Sequence, residues 1–275
     1  MFLASHGIVS STFQSVGDGS LADVVPSAVF DLDATIAASY PGTGTTWANL
    51  VTAPADGSAQ TDYDFFVGLD AAVTATDPTF NGSAGSAAAY WSVDGGDYFY
   101  QKMMSSYLAS THRTDVSKPI TIVMTLRLAN TSFNYLYGQG VSSGGQGWGL
   151  RLSSGTLEFF ARGDSANIFE TIKTSPSIPA TTDSIFIISM DTQAGIGKYW
   201  INSTNGGTWT PSATAYTSDA DTNPLMIGAG ISKGSPMPSG SRIYSFSVFN
   251  EIFDNTKAAA IIAALETRHG RDYTP

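Results

Sequence analysis

Apolar and polar residues alternate along this chain in short runs, and the runs are punctuated by Gly, Pro, Ser, Asn and Asp. Successive side chains of a strand point to opposite faces, so a period of two marks a strand with one side against a core. Runs at 28–33, 62–70, 88–94, 97–101, 119–129, 133–138, 147–153, 156–162, 167–173, 184–191, 197–202, 224–229 and 242–250 read as strands. Within 242–250 the alternation assigns Ile243, Ser245, Ser247 and Phe249 to one face and Tyr244, Phe246 and Val248 to the other. Ser154-Gly155 is a hairpin signal joining two of the runs. One stretch changes period: in 254–270, Ala258, Ile261, Ile262 and Leu265 recur at helical spacing. Asp254 or Asn255 caps its start, Gly270 ends it, and His269 falls in the last turn, where a cation suits the helix dipole.

Many short strands and one terminal helix predict an all-β jelly-roll β-sandwich with a short C-terminal helix. Residues 1–24, small and polar, read as an extended N-terminal arm, and 25–275 as one sandwich. No internal repeat of solenoid period is present.

Composition narrows the function. Net charge is −10, from 19 Asp and 4 Glu against 13 Lys and Arg. Asp favours turns, where its short side chain bonds nearby backbone, so much of this charge solvates loops. The acidic balance, with no basic cluster along the chain, argues against nucleic acid and anionic lipid as partners. There is no cysteine, which excludes disulfides and thiolate metal sites. The N-terminus "MFLASHGIVSS" reads as neither signal peptide nor membrane span, and no run approaches about 18 apolar residues.

The stretch "YPGTGTTWANL" at 40–50 raises the question of why a tryptophan follows so many turn residues. With "AVFDLD" before it, this stretch resembles the start of concanavalin A-like, laminin-G-type jelly-roll domains of bacterial surface proteins and phage particles. "YWSVDGGDYFYQ", "KPITIVMTLRLAN", "GKYWIN" and "PLMIGAG" followed by "SRIYSFSVFNEIF" resemble later elements of that family in the same order, over about 29–270. The loops depart from it: "ANLVTAPADGSA" stands where the family has "DLSGNGNNG". The resemblance implies a concanavalin A-like sandwich in which Pro41 and Gly42 turn the first loop and Trp47 plugs it, the alternative for Trp47 being a sugar-stacking platform. It further implies a non-catalytic structural protein on the virion surface of a tailed phage: a capsid decoration, head fibre or tail-associated subunit. Expected partners are other virion proteins, docked through residues 1–24, and further copies of the chain as a homo-oligomer. The alternative is a carbohydrate-binding adhesin recognising host glycans, with Trp148 and Trp209 as exposed ligand-binding platforms for sugar rings.

Enzymatic chemistry finds little purchase. Jelly-roll glucanases need paired carboxylates about 5 Å apart, which strand geometry encodes as acids two or four residues apart. Glu158, Glu170, Glu251 and Glu266 have no acidic partner at those spacings. His6, His112 and His269 lack metal-ligand spacing, and no G-x-S-x-G elbow is present. No catalytic residue, cofactor or metal is therefore expected. Asp94 and Asp97 flank a Gly-Gly turn and raise the question of calcium, against the reading of an ordinary hairpin turn.

Overall fold

The computed structural model describes residues 19–140, 146–162, 167–173, 178–211, 216–220, 223–230 and 233–274. Most of the expected arm, residues 1–18, lies outside them. The strands are β1 (Ala28–Asp33), β2 (Thr46–Trp47), β3 (Phe65–Val67), β4 (Thr79–Asn81), β5 (Tyr90–Ser92), β6 (Phe99–Gln101), β7 (Ile120–Arg127) and β8 (Asn134–Gly140). They continue with β9 (Gly147–Ser153), β10 (Thr156–Arg162), β11 (Asn167–Lys173), β12 (Asp183–Asp191), β13 (Ile196–Ile201), β14 (Gly207–Trp209), β15 (Met226–Ile227) and β16 (Arg242–Phe249). A one-turn helix α1 (Ser106–Ser110) precedes β7, and α2 (Asn255–His269) follows β16.

The strands form two antiparallel sheets, a jelly-roll β-sandwich with a short C-terminal helix. Sheet A runs β14-β13-β12-β7-β16-β5-β4, and β1 pairs with β16 on the edge that β5 also uses. Sheet B runs β11-β10-β9-β8-β15-β6-β3-β2. Inward side chains of both sheets make the main core, including Phe30, Trp47, Phe65, Trp91, Phe99, Met124, Trp148, Phe159 and Phe246.

Helix α2 forms as the pattern dictates. Asp254 caps it by accepting from the Lys257 N–H, and Gly270 ends it in the left-handed conformation at φ 58°. Its apolar side, Ala258, Ile261, Ile262 and Leu265, joins Val123, Ile185, Ile187 and Trp200 on the outer side of sheet A. Leu21 and Val25 complete this second core, so residues 21–25 pack on their own sheet. Sheet A is thus covered on both sides. Over the outer side of sheet B the described residues place no helix.

β16 departs from simple alternation. A register shift between Ile243 and Ser245 in its pairing with β7 is a bulge, and a bulge switches the facing of what precedes it. Ile243 joins Phe246 and Val248 in the main core, whereas Tyr244 turns its ring to His269 of α2. The faces expected for Ile243 and Tyr244 are therefore exchanged.

Candidate functional site

The two tryptophans expected to be sugar platforms are core residues. Trp148 is fully buried, and its indole Nε1 donates to the Leu108 carbonyl at 3.0 Å and to Gln139 Oε1 at 3.2 Å. Flanking glycines suggest an open loop, but Gly147 and Gly149 lie in β9. A Cβ on Gly149 would stand 2.6 Å from the Phe160 ring and 2.4 Å from the Tyr137 carbonyl oxygen, so glycine is needed for close approach. Trp209 is 9% exposed, and its ring lies over Gly197 and 5.6 Å from Phe159. Neither indole offers a face to a ligand, because inward strand positions here are sealed by the opposite sheet.

Asp94 and Asp97 make a turn. The Asp97 carboxylate accepts from the Asp94 N–H at 2.8 Å, and the Asp94 carboxylate from the Gly96 N–H at 3.0 Å. Among the described residues no group of three His, Cys, Asp or Glu is arranged to hold a metal ion. Burial, with the charges of Asp94 and Asp77 adding, raises the Asp97 carboxyl to about 7. A carboxyl raised in the folded state stabilises below its unfolded value near 3.8, and that contribution is lost as pH rises through about 7. Asp97→Asn keeps the acceptor and removes the charge. It is expected to gain of order 1–2 kcal/mol relative to wild type between pH 4 and 8, a range reduced for water at the turn's rim. Urea unfolding at the two pH values checks this, and an unchanged difference would contradict it.

The two described histidines stay apart in role. His112 is buried with no hydrogen-bond partner on either ring nitrogen. Burial lowers it to about 4, so it is neutral at physiological pH. His269 binds Asp33 and Tyr273 beneath α2, and His6 lies outside the described residues. The glutamates are likewise dispersed. Glu158 pairs with Arg151, Glu251 with Lys257, and Glu266 accepts from the Tyr273 N–H. Glu170 stands across from Phe159 in the β10–β11 register.

Sheet B's outer side carries what alternation along the chain leaves outward. One row of register partners crosses the sheet: Thr46, Phe66, Tyr100, Met226, Gly138, Gly149 and Phe160. Met226 and Phe160 are covered, while Thr46, Phe66 and Tyr100 remain partly exposed. Lys102 Nζ stands 5.2 Å from the Phe66 ring centre and donates to Thr46 Oγ1 at 2.8 Å. Lys233 Nζ stands 5.9 Å from the Tyr100 ring centre. Asp64 lies 3.8 Å from Lys102, and burial raises its carboxyl although the Asn49 N–H and Lys102 oppose this. A second aromatic group, Phe133 and Tyr135, meets ring edge to ring face, and the Arg151 guanidinium sits 5.1 Å from Phe133.

The signal for Phe66 and Tyr100 is present in the sequence. Adjacent aromatics in a strand must face opposite ways, so "FF" at 65–66 and "YFY" at 98–100 each place a ring outside the core.

No known family model matches the sequence, and no curated protein matches it. Solved structures share the fold. The receptor-binding domain of botulinum neurotoxin C/D mosaic serotype superposes with a TM-score of 0.58 at 11% identity, over 86% of this chain and 51% of that one. The binding domain of botulinum neurotoxin DC, in complex with SialylT, gives 0.55 at 12%, over 88% and 52%. Trypanosoma rangeli sialidase in complex with sialic acid gives 0.54 at 13%, over 88% and 33%. The chain thus spans about half the length of the neurotoxin domains and a third of the sialidase. At these identities the likeness is one of fold.

Proposed function

We propose that this chain is a non-catalytic β-sandwich module that binds carbohydrate on the outer side of sheet B. The observation that carries the reading is the pair Phe66 and Tyr100, opposite each other on β3 and β6 and partly exposed where no described helix lies. Aromatic faces at a wet surface, edged by Thr46, Asp64 and Lys102, suit sugar rings, which present apolar C–H faces and polar rims. The fold neighbours support this reading, since they include a toxin binding domain solved with SialylT and a sialidase solved with sialic acid. Against catalysis, Glu158, Glu251 and Glu266 are committed to partners at three separate places, whereas retaining hydrolysis needs two carboxyls about 5 Å apart.

Tyr100→Ala and Phe66→Ala are each expected to weaken glycan binding by about 5–30-fold, the loss of one stacking contact. A glycan array followed by calorimetry measures this, with urea unfolding to verify the fold. Binding that survives both substitutions would move the site elsewhere. The setting implied by the sequence resemblance, the surface of a tailed-phage particle, is part of the proposal and has its own test. Mass spectrometry of purified particles is expected to find the chain beside capsid or tail subunits.

A further inference from the structure

We infer that the ligand of this surface is an anionic glycan, whose carboxylate or sulfate sits between Lys102 and Lys233 while a sugar ring lies along Tyr100 and Phe66. The inference rests on the glycan reading above and names its substrate class.

The two lysines are 131 residues apart in sequence, yet their ammonium groups stand over adjoining rings of one cross-strand pair. Lys233 is the more telling. Among the described residues it forms no ion pair, and it is exposed. Its backbone lies at φ 65°, in the left-handed region that favours glycine, and Ser235 of the same loop lies at φ 46°. Such conformations persist where surrounding structure holds them, and they gather at ligand clamps. Here the holding contacts are explicit. Lys233 N–H donates to the Gly230 carbonyl, Gly230 N–H to that of Gly234, and Tyr135 N–H to that of Ser235. Gly230 is pressed so closely on the Tyr135 ring that a Cβ there would stand 2.4 Å from it. Gly230 and residues 233–235 are thereby tied to one another and to β8, with Lys233 beside Tyr100.

Charge complementarity selects the occupant. A net charge of −10 disfavours an anion at long range, but at physiological salt charges beyond about 8 Å are largely screened. The local pair then decides. Lys102 shares its charge with Asp64 at 3.8 Å, a loose contact from which a ligand anion draws it, and Lys233 has no such competitor. A neutral sugar would use the rings and the Lys102 edge and leave the Lys233 ammonium without a counter-charge.

Calorimetry on the full chain with 3′-sialyllactose, 3′-sulfolactose and lactose, beside an array of acidic glycans and their neutral counterparts, tests this. The acidic probes are expected to bind about 10-fold more tightly than lactose, with affinity falling as salt rises. Lys233→Gln is expected to cost about 3–10-fold on acidic probes and leave lactose unchanged, whereas Lys102→Gln, which also removes a polar edge of the sugar site, is expected to weaken the acidic probes more than lactose. Preference between sialyl and sulfo probes tells carboxylate from sulfate. Equal binding of acidic and neutral probes, indifferent to both substitutions, overturns the inference while the glycan reading stands. If no glycan binds at all, both fall. Both lysines are surface residues, and unchanged unfolding midpoints show that the variants fold.

Discussion

Trp47→Ala is expected to destabilise the protein by about 3–5 kcal/mol, the usual cost of deleting a large buried aromatic side chain. Trp47 is fully buried, with ring centres 4.6 Å from Phe99 and 5.8 Å from Trp91. Tyr40, at the start of the same loop, packs 4.5 Å from Trp91 and 4.9 Å from Phe80. The loop after β1 is therefore closed by its own aromatics, which explains a tryptophan behind so many turn residues. β2 is only two residues long and pairs with β3 alone at the rim of sheet B, so the plug rather than the ladder holds this edge. Trp47→Phe separates volume from polarity. The indole Nε1 has no hydrogen-bond partner, and losing an unpaired buried donor offsets part of the lost packing. Phenylalanine is expected to cost less than half as much as alanine. Urea midpoints measure both, and an alanine cost below about 1 kcal/mol would refute the plug.

The second large effect lies beneath α2. Asp33→Ala is expected to cost about 3–5 kcal/mol, because it strips a buried cation of its counter-charge. The Asp33 carboxylate is fully buried and accepts from Arg268 at 2.8 Å and from His269 at 3.0 Å. Arg268 also reaches Asp31 at 3.3 Å and the Gly19 carbonyl, and Tyr273 closes the chain on His269 at 2.7 Å. Burial alone would raise Asp33, yet His269 and Arg268 hold it well below the usual carboxylate range. A carboxyl lowered by folding stabilises above its unfolded value near 3.8, and the contribution disappears as pH falls toward the folded value. Wild type and variant should thus converge below pH 4. Asp31, raised by burial with only partial relief from Arg268, works in the opposite sense, which makes the comparison at one site necessary. Asp33→Asn, which keeps shape without charge, is expected to fall between wild type and alanine. Loss of α2 alone on alanine substitution, read by hydrogen exchange, would show that the network anchors the helix rather than the whole sandwich.

Much of this architecture is local information. The strand at 28–33, the hairpin at Ser154-Gly155 and the capped helix ending at Gly270 stand where pattern and turn chemistry place them, because backbone preference and one-sided burial act over a few residues. The short strands β2, β4 and β14 escape such a reading, since two or three residues carry no period. They exist because a neighbouring strand offers each an edge: β3 for β2, β5 for β4 and β13 for β14.

Facing and proximity belong to the tertiary structure. The chain itself specifies that alternate residues in a strand oppose each other, that acids outnumber bases and that a tryptophan needs burial. It does not specify which side of a strand meets the partner sheet. That choice put Trp148 and Trp209 inside, exchanged Ile243 with Tyr244 through one bulge, and turned Phe66 and Tyr100 outward. Nor does it specify which distant residues converge. Lys102 and Lys233 form no basic run, yet they stand beside the two rings of one cross-strand pair, and Asp33 and His269, 236 positions apart, are in hydrogen-bond contact. Chain order records neighbours along the backbone, whereas charge and packing act through space.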